Sequence, residues 1–423
     1  MEGKKLRIAM LGLGSVGSKV VELVTKNSEY LYQRTGVQVE IVYGLVRSIL
    51  EEDKKKLAKN YQFQLTDSYD DILSDDSIDV VVELIGRVSP AKEYIVRALK
   101  AKKHVVTANK DVMAQYAHEL LPLANQHGVT IGYEASVAGG IPIVNPLKTQ
   151  FSLDTITSIR GILNGTTNFI LTKMLNESLS YEEALTLAQE LGFAESDPTN
   201  DVEGIDAAYK VMILAQLAYH VYPKMEDVQI DGITAIHPAQ LAVAKQFGYK
   251  IKLLGEVKAI GNELSLRVAP ALVSDQTSLA LIDNETNALQ VNSTQIGQSF
   301  LSGPGAGAAP TATSVLADIQ ALIEKKELGT SNQFAPVFFE NLEFTFLAES
   351  PAEKMGIVMK KANASQKFTN DQLADIQSIH HMSIADDAYE WLVTNPLTSE
   401  QLHDLLESLN KMGSVLGALP FVD

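Results

Sequence analysis

The chain has 423 residues, 46% of them apolar and 21% charged, which is enough apolar material for more than one globular core. Its net charge of −17 argues against nucleic acid or an anionic membrane as partner, and no run of about 18 apolar residues offers a membrane span. The absence of cysteine excludes disulfides, thiolate metal sites and cysteine nucleophiles, and it fits a cytoplasmic setting.

Residues 6–14, LRIAMLGLG, read as a strand that ends in glycines, and 15–27 as a helix. Further strands are expected at 37–47, 78–86, 104–110 and 129–137, with helices at 89–102 and 111–128. This alternation predicts a doubly wound α/β Rossmann domain over residues 1–140. Its first turn, Gly12-Leu13-Gly14-Ser15-Val16-Gly17, matches G-x-G-x-x-G in the strand–turn–helix context the motif needs. Gly12 permits the tight turn, Gly14 lets the backbone approach a pyrophosphate, and Gly17 lets helix and strand pack closely.

The second strand ends in LVRS. Arg47 stands where an NAD enzyme carries an acid, and a guanidinium suits a 2′-phosphate, so NADP is favoured over NAD. A solvated surface arginine is the alternative. Lys110 closes HVVTANK at the carboxyl end of a parallel strand, within reach of both cofactor and substrate. In YEASVAGGIPI (133–143), Glu134 and glycine-rich backbone offer hard oxygens that suit a monovalent cation such as Na+ or K+; a plain interdomain turn is the other reading.

Residues 141–330 read as a second, α+β domain. Strands are expected near 155–163, 250–260, 263–273, 287–293 and 297–303, and a helix at 305–326 should return to complete the first domain. Within it, GFAESDPTNDVEGIDAAYK (192–210) runs a dense set of acids into the apolar VMILAQLAYHV. Asp206 and Lys210 are four residues apart on one helix face, and Ile213, Leu214 and Leu217 continue that face. Lysine and acid on a core stripe are rare unless paired or functional. A desolvated lysine can hold the proton of a reacting hydroxyl, and carboxylates around it can hold a substrate ammonium. A structural ion-pair network at a domain junction is the alternative.

Beyond 338, a strand (342–347), a helix (351–363), two strands (372–379 and 387–395), a helix (398–410) and a strand (414–421) predict a ferredoxin-like βαββαβ domain over 338–423.

The stretch ALTLAQELGFAESDPTNDVEGIDAAYK closely resembles the homoserine dehydrogenase signature A-x3-G-(apolar)-x3-D-P-x2-D-(apolar)-x-G-x-D-x3-K. TANK, YEASVAGGIPI, GILNGTTNFIL and GPGAGAAPTATSVLAD resemble other blocks of that family. The resemblance implies a monofunctional, NAD(P)-dependent interconversion of L-homoserine and L-aspartate 4-semialdehyde, on the route to threonine, isoleucine and methionine. It implies Lys210 as proton donor and Lys110 between cofactor and substrate. Glu195 and Asp206 would hold the substrate with support from Asp201, and Gly303 would lie near the nicotinamide. A cation would sit at Glu134, Val137, Gly139 and Ile141, mostly on main-chain oxygens. A homodimer or homotetramer is expected. The C-terminal domain resembles an ACT domain whose ligand turn, AESPAEKMG (348–356), lacks the glycine after proline. Other readings are an NADP-dependent dehydrogenase of another small amino or hydroxy acid, and a non-catalytic NADP-responsive regulator. The presence of Lys110, Glu195, Asp206 and Lys210 speaks against a regulator, which needs no proton-transfer lysine.

Overall fold

Strand β1 (Lys4–Leu11) is fully buried from Ile8 to Leu11, the continuous apolar run that a parallel strand covered on both faces requires. The computed structural model describes residues 4–327, 344–361, 367–384 and 387–422. It places β1 in a six-stranded sheet with β2 (Val37–Leu45), β3 (Gln64–Thr66), β4 (Val80–Glu83), β5 (His104–Thr107) and β6 (Ile131–Gly132). The order is β3-β2-β1-β4-β5-β6 and every pair is parallel. This doubly wound order opens a ligand crevice at the carboxyl ends of β1 and β4.

The sheet belongs to a compact unit made of the described residues of Met1–Leu153, Met212–Tyr222 and Gly303–Asn341. Helix Ala308–Glu327 sends Ala312, Val315, Ile319 and Ile323 into the same core as Val20, Val21 and Val24 of helix Ser15–Lys26. The three-residue β3 and the helices Ser28–Thr35, Glu52–Tyr61 and Tyr69–Ser74 were not expected from the sequence. They are short or largely polar, so each shows little apolar periodicity.

The second unit holds the described residues of Asp154–Val211, Pro223–Ser302 and Leu342–Asp423. Its strands are β7 (Ile156–Ile162), β8 (Gln229–Ile230), β9 (Tyr249–Ile260), β10 (Glu263–Ser274), β11 (Thr286–Ser293), β12 (Gly297–Pro304), β13 (Thr345–Phe346), β14 (Met355–Lys361), β15 (Ile376–Ile384), β16 (Asp387–Thr394) and β17 (Gly413–Val422). They form a mixed sheet in the order β12-β11-β7-β9-β10-β17-β14-β16-β15, with β8 and β13 also pairing β10. The antiparallel hairpin β9–β10 is continuous from Ile260↔Glu263 to Tyr249↔Ser274.

The C-terminal segment keeps the βαββαβ order in a different frame. Its first strand is β14, within the stretch expected to be a helix, and its first helix is Asn370–Asp375. Met355–Met359 are buried at every position, a short apolar run that fits a strand or a buried helix equally by pattern. In consequence AESPAEKMG runs into the first strand instead of following it, which removes the sequence basis for an ACT-type ligand turn there. The segment's sheet order, β17-β14-β16-β15, is antiparallel throughout, and β17 adds parallel to β10 at Leu272↔Phe421 and Val273↔Val422. Beside that seam lies a cavity of about 220 Å³. Two ion pairs line it, Arg160 with Glu256 at 2.6 Å and Arg267 with Glu353 at 2.6 Å, together with Lys258.

Lys252 on β9 is 2% exposed. Its ammonium donates to Asn168 Oδ1 (2.9 Å), the Ile282 carbonyl (2.6 Å) and Asp283 Oδ1 (3.0 Å), tying β9 to helix Gly165–Asn176 and the loop before β11. Burial pulls its pKa down to about 8, so it stays mostly charged at neutral pH. We expect Lys252→Ala to destabilise the protein by about 2 kcal/mol, because it leaves Asn168 Oδ1 buried without its donor, while the Ile282 carbonyl keeps Asn168 and Asp283 keeps Lys250. Chemical denaturation checks this, and a loss under about 1 kcal/mol would contradict the bracing role.

Candidate active site

The glycine turn of the first unit has the shape a pyrophosphate needs. Gly12 has φ +94°, and a Cβ on Gly17 would lie 2.1 Å from the Gly12 carbonyl oxygen, so only glycine allows helix Ser15–Lys26 to start here. A Cβ on Gly14 would meet nothing within 4 Å. No side chain caps this helix, which leaves its first N–H groups pointing out for an anion. Leu13 is buried and Val16 packs on the core, while Ser15 is exposed at the turn. The Gly12 N–H donates to the Leu45 carbonyl (3.3 Å), so the end of β2 lies against the turn. Arg47 follows two residues later and is exposed.

Two buried polar groups that the sequence did not single out hold the neighbouring strand ends. Glu83, at the end of β4, is 0% exposed; it accepts from the Ile85 N–H (2.7 Å) and the Thr107 hydroxyl (2.7 Å). Burial pushes its carboxyl above the usual range. Asn109 caps helix Lys110–Gln126 by accepting from the Val112 N–H (3.1 Å), and its amide donates to the Arg87 carbonyl (2.7 Å). Lys110 is therefore fixed in the first turn of that helix, at the carboxyl end of β5. It is partly exposed, 3.5 Å from Asp111.

The loop at 134–141 is buried at Glu134, Val137, Gly139 and Ile141. Ala138 (φ +55°) and Gly139 (φ +53°) both take the left-handed region, which turns the chain back on itself. The Glu134 carboxylate is fully engaged: Oε1 accepts from Ile143 and Val144 (2.7 and 2.9 Å) and Oε2 from Asn145 (2.6 Å). Its own N–H donates to Asp318 (2.8 Å), whose carboxyl burial pushes up to about 6. The Gly139 carbonyl accepts from Ser314 (2.6 Å). A Cβ on Gly303, on β12, would meet only the Ile141 side chain, at 3.4 Å. Among the described residues no three His, Cys, Asp or Glu side chains group as metal donors.

In the second unit, β7 delivers Leu163 and Asn164 to the start of helix Ile205–Tyr219. Lys210, 9% exposed, donates to the Leu163 carbonyl (2.6 Å) and to Asp206 Oδ2 (2.7 Å). Asn164 donates to Asp206 Oδ2 (2.9 Å) and Asp201 Oδ1 (2.7 Å). Asp201, Asp206 and Lys210 are thus brought together, with the Asn164 amide bridging the two carboxylates. Asp201 sits within the short helix Thr199–Val202 and not at a helix cap. Glu195 is not drawn in: it is exposed, and no bond links its carboxylate to the other three among the described residues. Asn164 was missed because its partners lie 37 and 42 residues away.

The family described as homoserine dehydrogenase matches residues 142–320, and its NAD-binding domain matches 12–134. The homoserine dehydrogenase of Bacillus subtilis is 39% identical over 420 residues, covering 97% of this chain and 96% of its own. The crystal structure of a homoserine dehydrogenase from Thiobacillus denitrificans has a TM-score of 0.86 at 30% identity and covers 99% of both chains. A hyperthermophilic archaeal homoserine dehydrogenase solved in complex with NADPH has a TM-score of 0.65 at 28% identity, covering 77% of this chain and 98% of that one. The glycine turn, the buried lysine with its acids and the likeness along nearly the whole chain agree: the chain belongs to the homoserine dehydrogenase family of oxidoreductases.

Proposed function

We propose that the chain interconverts L-homoserine and L-aspartate 4-semialdehyde with NADP(H) in preference to NAD(H), and that Lys210 moves the proton. The bound nicotinamide supplies the two-electron donor or acceptor. In the reducing direction the Lys210 ammonium gives a proton to the carbonyl oxygen of the semialdehyde; in the reverse direction the neutral amine takes the hydroxyl proton. The observation that carries this reading is the Lys210 ammonium itself. Two of its N–H groups are committed to Leu163 and Asp206, and the third remains for a substrate oxygen. Asp206, supported by Asp201, supplies counter-charge for the substrate ammonium. Glu195 joins them only through movement of its exposed loop on substrate binding.

Residues 12–17 hold the pyrophosphate, Gly303 borders the nicotinamide, and Lys110 lies between cofactor and substrate in this reading. Arg47 meets the 2′-phosphate. The exposed guanidinium beside the glycine turn supports that role, as does the NADPH bound by the archaeal relative. A monovalent cation at Glu134, Val137, Gly139 and Ile141 would be held by main-chain oxygens, because the Glu134 carboxylate is already taken by three N–H donors. The division proposed is a cofactor domain at 1–140 completed by helix 305–326, a catalytic and dimerisation domain at 141–330, and a C-terminal module at 338–423. Assembly as a homodimer or homotetramer in the cytoplasm goes with it; among the described residues no helix is long and apolar enough to cross a membrane.

Oxidation of NADPH by aspartate semialdehyde, followed by near-ultraviolet absorbance, measures the activity. Lys210→Ala should lower kcat by about 100-fold or more with cofactor affinity unchanged. A folded Lys210→Ala protein with near-native kcat would leave Lys210 as a structural ion-pair member. Arg47→Asp should raise the KM for NADPH at least about tenfold and leave that for NADH nearly unchanged, since a charged partner becomes a like charge. Equal losses with both cofactors would remove Arg47 from the 2′-phosphate.

A further inference from the structure

We infer that Asn164 is the positioning residue of the catalytic cluster: its amide sets Asp206, and through it Lys210, while keeping Asp201 and Asp206 side by side. The inference rests on the reading of Lys210 and Asp206 given above. Asn164 is 5% exposed and ends the segment that follows β7. Its Oδ1 accepts the Thr167 N–H (2.9 Å), capping helix Gly165–Asn176. That cap decides which way the amide faces. With the oxygen on the helix, the NH2 group must point at the acids, and it donates to Asp201 Oδ1 at 2.7 Å and Asp206 Oδ2 at 2.9 Å. A flipped amide would set its oxygen against two carboxylates and lose the cap as well.

The helix that orients Asn164 is itself held from within. Asn168, 1% exposed, donates to the carbonyls of Ile282, Asn284 and Thr286 and accepts from Lys252. The amide is therefore presented from a braced element, and it bridges the two acids with one neutral group. Asp206 Oδ2 receives Asn164 and Lys210 together. Losing the amide would leave Lys210 as the only one of these two donors, and would free Asp206 to turn away from Asp201, its like charge.

Asn164→Asp tests this directly, because aspartate caps a helix as well as asparagine but offers no donor and adds a third negative charge. We expect kcat/KM for L-homoserine to fall about 10- to 100-fold, the loss carried by charge-assisted hydrogen bonds. KM for homoserine should rise, KM for NADP should hold, and the melting temperature should stay within a few degrees. A capping role alone predicts a near-native enzyme, or a kcat reduced only by the unfolded fraction with homoserine KM unchanged; either result overturns the proposal. Should Asn164→Asp not fold, Asn164→Ser keeps a cap oxygen and can bridge at most one acid. A kcat/KM for Asn164→Ser within about twofold of the native chain then overturns it. Lys210→Ala in the same assay separates the two ideas. An inactive Lys210→Ala beside a near-native Asn164→Asp defeats the positioning role alone, whereas an active Lys210→Ala defeats the reading on which it rests.

Discussion

The Lys210 side chain, on a helix that is buried on almost every side, meets the Asp206 carboxylate and the Leu163 carbonyl at 2.7 and 2.6 Å. Removing an ammonium from water costs several kcal/mol, and such a group survives in the interior only when partners stand at hydrogen-bond distance. The constraint reaches well beyond the pair. β7 must end so that the carbonyl of Leu163, the residue after it, faces the helix, and β9 must leave room for it. A Cβ on Gly255 would lie 2.6 Å from Leu163 and 2.8 Å from Val211, so the strand beside β7 carries a glycine where its chain meets both sides of the cluster. The antiparallel pairs β7–β9 and β9–β10 then fix that geometry from strand to strand.

Features encoded over a few residues were legible in the sequence. The glycine turn needs its motif, a strand before it and a helix after it, all within about 20 residues. The i, i+4 spacing of Asp206 and Lys210 on an apolar stripe announced a buried ion pair, and the structure contains it. What escaped is long-range. Glu83 is a single acid at a strand end, and its partner hydroxyl on Thr107 is 24 residues away. Asn164 lies in a block already known to resemble the family, yet no spacing rule links it to Asp201 or Asp206. Asp318 is 184 residues from the N–H it accepts. Polar residues of this kind look like ordinary turn or helix residues until the fold supplies the other half of each bond.

The C-terminal frame failed for a different reason. Periodicity separates helix from strand only when one face is polar. Met355–Met359 are buried throughout, because β14 lies between β17 and β16 and is covered by Leu405, Leu409 and Met412. An all-apolar run gives no period to read, so length and breakers had to decide, and the helix was assigned one element too early. The order of elements survived because every later element kept a period of its own, such as the amphipathic helix Ser399–Asn410 with its Thr398 capping box.

The buried acids of this protein differ in what they accept, and that difference sorts their roles. Glu83 takes only neutral donors, among them the Ile85 N–H and the Thr107 hydroxyl, and its raised pKa follows from burial that they only partly offset. Glu134 takes three backbone N–H groups at the head of helix Val144–Lys148, which spends both of its oxygens on holding a loop. Among the described residues neither has a lysine at hydrogen-bond distance. Asp206 alone among these three shares an oxygen with an ammonium. Orientation is thus spread over several acids, while among these three the short contact with an ammonium belongs to Asp206 alone, at the head of an apolar helix.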